Sequence, residues 1–286
     1  MPLLSEIRHI QKTKDGESSI YNSAILLPTS VLGIHFKQYR LRLPMLLENV
    51  TKQIRAHFLH HPTGDQEAVI SHLSSLHLST KKNPVYILKG FAGTGKTSLI
   101  SAYANMLKAD KKNFVLLAPT GRAAKVLTKY TGYKAHTIHR YLYHIITSSE
   151  GFYKISLSHN RLKNTVFIID ESSMISDNSQ SEGELFVGRN LLEDLISYVF
   201  CRDNNKMILV GDTAQLPPVG ITISPALNIA YLKSSFNITA FEFEMKEVMR
   251  QAIDSGILTS ATSLRKKIHR DEAVLKLFDA TDFKTD

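Results

Sequence analysis

The chain has 286 residues, 43% of them hydrophobic and 21% charged, with a formal net charge of +9. These are proportions of a soluble globular protein of one large or two small domains. They exclude a membrane-spanning one, since no apolar run approaches the roughly 20 residues that a span needs.

Cys201 is the only cysteine, so an internal disulfide is excluded and a reducing, cytoplasmic setting is expected. Residues 1–20 lack the apolar core of a secretory signal. The basic balance suits an anionic partner such as nucleic acid, or marks nothing more than a basic soluble protein.

Residues 1–61 carry no strong motif and read as an N-terminal helical extension. Within them Leu43–Leu59 has helical apolar spacing at Leu46, Leu47, Val50, Ile54 and Phe58, and is expected to pack on the main domain. From Pro84 short apolar runs alternate with helical segments. Val85–Leu88, Phe114–Ala118, Val166–Ile169 and Met207–Val210 read as buried strands, and Thr97–Leu107 and Leu191–Phe200 as helices. The alternation FYKISLSH within Gly151–Leu162 predicts a small inserted β-hairpin. Thr239–Met245 predicts a further strand and Gly256–Lys267 a helix. This order implies an α/β fold with a parallel sheet and helices on both faces.

The run Gly90, Phe91, Ala92, Gly93, Thr94, Gly95, Lys96, Thr97 and Ser98 fits G-x-x-x-x-G-K-[ST] and falls between a strand and a helix. Glycines let the backbone wrap closely around phosphates, and the helix N-terminus adds its positive end. ATP is the ligand that this P-loop implies, with Lys96 reaching the β and γ phosphates and the Thr97 hydroxyl ligating Mg²⁺. A strand end at Asp170-Glu171 supplies the second part: Asp170 to hold Mg²⁺, Glu171 to position and polarise the attacking water. Gln215, in Gly211-Asp-Thr-Ala-Gln-Leu-Pro-Pro, is placed to sense the γ-phosphate or that water, or is a turn residue before two prolines. Arg250 is a candidate stabiliser of phosphate charge, or a surface arginine.

The ordered set GFAGTGKTS, APTGRAAKVL, TIHRYL, FIIDESSMI, GDTAQLPPVG and EVMRQ resembles the RecD-like DNA helicases of superfamily 1B, related to the Dda and Pif-type helicases. The resemblance implies a first RecA-like motor domain over residues 62–265, a hairpin or pin inserted at 148–163, and at 266–286 the start of a connection to a second RecA-like domain. It implies a 5′→3′ helicase that translocates on single-stranded DNA by ATP hydrolysis. Gln66 matches the motif that contacts adenine. Lys96, Thr97, Asp170, Glu171, Gln215 and Arg250 match the ATP-site residues. Pro119, Thr120, Gly121 and Arg122 match one DNA-contacting motif, and Thr137 and His139 the next.

Single-stranded DNA and duplex or fork DNA are the partners so implied, with no membrane and a monomeric chain. The family's second-domain motifs do not follow Arg265. The chain is therefore expected to be the N-terminal half of a longer motor or a truncated gene product, binding nucleotide weakly and turning it over slowly or not at all when alone. Two other readings stay open: a P-loop ATPase of another class, such as a clamp loader or repair switch, and a non-catalytic nucleic-acid-binding module.

Overall fold

Along each long strand of the sheet, successive side chains point to opposite faces, and here both faces are covered. Val85, Ile87, Leu117, Phe167, Ile169, Met207 and Leu209 pack in one core cluster. The residues between them, Tyr86, Leu88, Leu116, Val166, Ile168, Ile208 and Val210, pack in another. Runs apolar at every position, rather than at every second one, follow from this double burial.

The computed structural model describes residues 32–147, 153–177, 189–215 and 224–247. The chain divides into two units, Met1–Pro44 and Met45–Asp286. The described part of the first is helical, the opening of α1 (Leu32–Ala56).

In the second unit, α2 (Gly64–Leu78) leads to β1 (Pro84–Gly90), α3 (Lys96–Ala109), β2 (Asn113–Ala118), α4 (Gly121–Thr131), β3 (Ala135–Thr137) and α5 (Ile138–Leu142). There follow β4 (Tyr143–Thr147), β5 (Tyr153–Leu157), β6 (Thr165–Ile169), α6 (Leu191–Phe200), β7 (Lys206–Gly211), α7 (Ile229–Ser235) and β8 (Thr239–Met245). Six strands form one sheet in the order β3-β2-β6-β7-β1-β8, and every pairing in it is parallel. Residues of α1 to α4 join the cluster on one face, and residues of α5, α6 and α7 the cluster on the other. Leu73 of α2 and Leu195 of α6 are fully buried, each worth about 1.5–3 kcal/mol of transfer free energy.

The expected α/β fold with helices on both faces is the one observed. The strand expected at Thr239–Met245 and the helix at Leu191–Phe200 have those bounds, and the other expected strands extend by a residue or two. Three differences have physical causes. The N-terminal helix begins earlier, at Leu32, and buries Val50 and Ile54 while Leu46 is 48% exposed.

The edge strand β3 escapes sequence reading because three residues are too few to show a period. The hairpin pairs β4 with β5 in antiparallel register, so its first strand begins at Tyr143, ahead of the expected 148. No glycine, proline or asparagine separates the helical Ile138–Leu142 from Tyr143, and that left the boundary without a signal. The helix expected at Gly256–Lys267 lies outside the described residues, as does Arg250.

Candidate functional site

Parallel strands bring their C-terminal ends to one edge, and ligand sites of such sheets form there. At that edge the loops after β1, β6 and β7 enclose a cleft of about 440 Å³. Ala92, Gly93, Gly95, Lys96, Thr97 and Ser98 line one side; Asp170, Glu171 and Gln215 line the other. Gly90, Phe91 and Thr94 shape the loop from behind. A side chain at Gly90 would stand 3.0 Å from Met245 Cβ and 3.2 Å from Met245 O, so β8 packs directly against the start of the loop. Gly93 and Gly95 have φ of 81° and 90°, in the left-handed region that glycine enters at little cost.

Gly95 is the N-cap of α3 and gives it no side-chain cap. The first N–H groups of that helix are thus left to face an anion. Lys96 Nζ donates to the carbonyls of Gly90, at 2.6 Å, and Phe91, at 2.9 Å, which keeps the ammonium at the mouth of the loop. Thr94 Oγ1 donates to Phe91 O at 2.8 Å and closes the turn. Gln66 is fully buried beneath it. Its Oε1 accepts from Thr63 N and its Nε2 donates to Thr94 O, each at 3.0 Å.

Asp170 is fixed by its backbone N–H, which donates to Leu117 O of β2 at 3.0 Å. Burial raises its carboxyl to about 6; the N–H of Glu171 and the charge of Lys96 oppose that rise, and the Glu171 charge adds to it. Glu171 has φ of 53°, a left-handed conformation unusual for a residue with a side chain. Thr97 and Asp170 present only oxygen donors. That suits Mg²⁺, which binds through one or two protein oxygens and takes the rest of its shell from phosphates and water.

Three contributors were not assigned from sequence. Asp212 is 3% exposed and its Oδ1 accepts from Ala214 N at 2.8 Å, holding the turn after β7. Its signal was available, since it follows a buried strand as Asp170 does. Ser173 Oγ donates to Gln215 Oε1 at 2.9 Å. Tyr130, 66% exposed, stands at the rim, with its carbonyl held by Ser101 Oγ at 3.2 Å. The last two had only spatial signals.

The residues matching the DNA motifs cluster beside the cleft. β2 and β3 pair with Ala118 opposite Thr137, so Pro119–Arg122 and Thr137–His139 emerge together. The Thr120 hydroxyl accepts from Ala123 N at 3.2 Å and caps α4, and the Thr137 hydroxyl accepts from Arg140 N at 3.3 Å and caps α5. The His139 ring lies 5.9 Å from that of Tyr143. Arg122, Lys125, Lys129 and Arg140 are exposed around this corner.

A family model described as an AAA domain matches residues 63–283. The ATP-dependent RecD2 DNA helicase of Deinococcus radiodurans is 32% identical over 181 residues, 62% of this chain and 21% of that protein. The ATP-dependent DNA helicase dda of Enterobacteria phage T4 is 31% identical over 194 residues, 66% of this chain and 39% of that protein. Matched regions thus span about a fifth to two-fifths of these curated relatives. The crystal structure of the Pif1 helicase from Candida albicans aligns with a TM-score of 0.46 at 20% identity, over 77% of this chain and 49% of that one.

Proposed function

The chain belongs to the AAA domain family and is a superfamily 1 helicase-like protein, and from that premise we propose that it is the first motor domain of an ATP-driven DNA helicase, over residues 62–265. The observation that carries this reading is the convergence of Lys96, Thr97, Asp170, Glu171 and Gln215 on one cleft beside a cationic corner. The reaction is attack of water on the γ-phosphate of ATP. Lys96 takes the β and γ phosphate oxygens and offsets the charge that develops there. Thr97 and Asp170 would hold Mg²⁺, which would supply positive charge to offset that of the phosphates. Glu171 accepts the proton of the attacking water. Gln215 has its carbonyl oxygen held by Ser173, and this leaves the amide N–H groups for the water or the γ-phosphate. Arg250 is assigned a stabilising cation's role from the motif likeness alone.

Single-stranded DNA is held at the corner formed by Pro119, Thr120, Gly121, Arg122, Thr137 and His139, by backbone N–H groups and cations without sequence preference. The β4–β5 hairpin presents Ile145, 63% exposed, and Ile146, 46% exposed, on β4, apolar surface suited to a fork junction. The 5′→3′ direction comes from the likeness to RecD-like motifs. ATP hydrolysis and displacement of a forked duplex, measured for the full-length motor that carries this domain and for its Lys96→Ala variant, test the reading. Hydrolysis is expected to fall by about 100-fold or more, and displacement to cease. Equal displacement by both proteins rejects the motor assignment.

A further inference from the structure

Every strand of the parallel sheet starts at the edge opposite the cleft. The loops that lead there into β1, β2, β6 and β7 are residues 79–83, 110–112, 158–164 and 201–205. With Lys206, the first residue of β7, they hold eight lysines and arginines and two aspartates, Asp110 and Asp203, a net +6 where the whole chain carries +9. None of these cations belongs to the motifs that resemble helicases. A cavity of about 290 Å³ opens at this edge. Lys81, Lys112, Lys206 and His77 line it, and among the described residues no carboxylate does.

Like charges are crowded here. Burial and the charge of Lys112 both depress the Lys206 ammonium. Burial, Lys206 and Lys112 oppose protonation of His77, against the pull of Asp110. Such crowding costs stability unless an anion offsets it. Inside the cavity the donors are already engaged. Lys206 donates to the carbonyls of Leu76 and His77, Asn205 Nδ2 to those of Leu162 and Val199, and Asn204 Nδ2 to Asn164 Oδ1 at 3.1 Å. An enclosed small anion would need such donors to converge on it instead. The charge that remains stands on the rim. Lys81 and Lys112 are exposed, and neither forms an ion pair among the described residues. Lys82, Lys111 and Lys163, also exposed, carry the patch beyond the cavity. This spread suits a chain of phosphates laid across the edge, not one ion held within it.

We propose that this edge is a second contact for nucleic acid, whose backbone phosphates lie across Lys81 and Lys112, at the opposite end of the strands from the corner of Arg122. The inference needs nucleic acid as the partner but neither ATP hydrolysis nor the corner. Cys201, the chain's only cysteine, stands exposed in the loop before β7 and serves as a tether. Fe·EDTA attached to it cuts nucleic acid that lies close by. The labelled full chain is expected to cut a bound single-stranded oligonucleotide, and the double variant Lys81→Ala/Lys112→Ala to lose most of that cutting. In the double variant the slope of log affinity against log salt should flatten by about 1–2, as two lost phosphate contacts require. Both side chains are exposed, so its melting temperature should stay close to that of wild type.

Replacing Arg122, Lys125 and Lys129 by alanine should leave the cutting in place once the strand is saturating. Cutting that needs those three and ignores Lys81 and Lys112 would come from a tether reaching a strand held at the corner, and would overturn the proposal. A flattened slope without cutting, or an unchanged slope, overturns it too, since the lysines then act at a distance or as a solvated rim. Titration calorimetry with inorganic pyrophosphate covers the enclosed ion. Pyrophosphate binding that survives Lys96→Ala and is lost in the double variant, with the DNA slope unchanged, would make the cavity a small-anion site and reject the nucleic-acid contact. A wild-type chain that binds no strand at all would sink the nucleic-acid reading of both edges. Strand affinity that needs the corner and ignores Lys81 and Lys112 would sink this inference alone.

Discussion

Glu171 shows how the site trades stability for placement. Its left-handed backbone, with φ of 53°, turns the chain sharply at the end of β6. A side chain in that region costs about 1–2 kcal/mol. Glu171→Gly is therefore expected to raise stability by about 1 kcal/mol in urea unfolding, after the entropy that glycine adds to the unfolded chain. ATP hydrolysis should fall by about 100-fold or more in the same variant. Unchanged hydrolysis would remove Glu171 from the proposed chemistry. The hydroxyl of Ser173 acts one step further out, fixing which end of the Gln215 amide faces the cleft. Ser173→Ala is expected to lower kcat several-fold with KM little changed, because an orientation that matters in the transition state is lost without a substrate contact. A rise in KM alone would contradict that role.

Between elements, close approach and end-capping set the positions of the loops. Gly211 ends β7 where a Cβ would lie 2.7 Å from Leu227 Cδ1 and 3.1 Å from Ser173 N. Gly211→Ala must displace the Leu227 side chain and crowds the turn that carries Ser173. It is expected to cost about 1–3 kcal/mol in stability, measured by thermal or urea unfolding. At the other end of the same strand, Lys206 donates to the carbonyls of Leu76 and His77 and so caps the last turn of α2.

Burial, with Lys112 nearby, lowers the Lys206 ammonium to about 8. Its native value lies below its unfolded value of about 10.4. Between these the unfolded chain binds the extra proton, so this group's contribution to stability rises with pH across the window from 8 to about 10.4. The neutral amine still has two N–H donors for its two carbonyls. Lys206→Met should lack this rise when unfolding is compared at pH 7.5 and 9.5. A variant that keeps the full slope would place the titration elsewhere.

Across the whole molecule, one sheet edge carries two candidate sites in sequence along its width. The phosphate cleft lies over β1, β7 and β6, and the cationic corner over β2 and β3. If that corner holds a DNA backbone, replacing Arg122, Lys125 and Lys129 by alanine should flatten the slope of log affinity against log salt by about 2 for single-stranded DNA. Mg·ATP affinity should be unaffected. A slope that does not change would move the DNA path off this corner.

Much of this was legible beforehand. The phosphate loop announces itself because glycines, lysine and threonine must stand at set spacings to wrap an anion, and Asp170 because a carboxylate at the end of an apolar run, weak by itself, supplies the second part that such a loop requires. The double-sided burial of the strands is written in their unbroken apolar runs, and from it the parallel sheet follows. What stayed hidden depends on residues distant in sequence meeting in space.

The order β3-β2-β6-β7-β1-β8 decides that Ser173 reaches Gln215 and that Tyr130 stands at the rim of the cleft. The start of the hairpin at Tyr143 depends on pairing with β5, which no local pattern encodes. Gln66 is the sharpest case. By itself the sequence determined that a polar residue opens α2. Only the tertiary structure decided that both ends of its amide are taken up, by Thr63 and Thr94, because a buried amide must be satisfied by whatever the fold sets beside it.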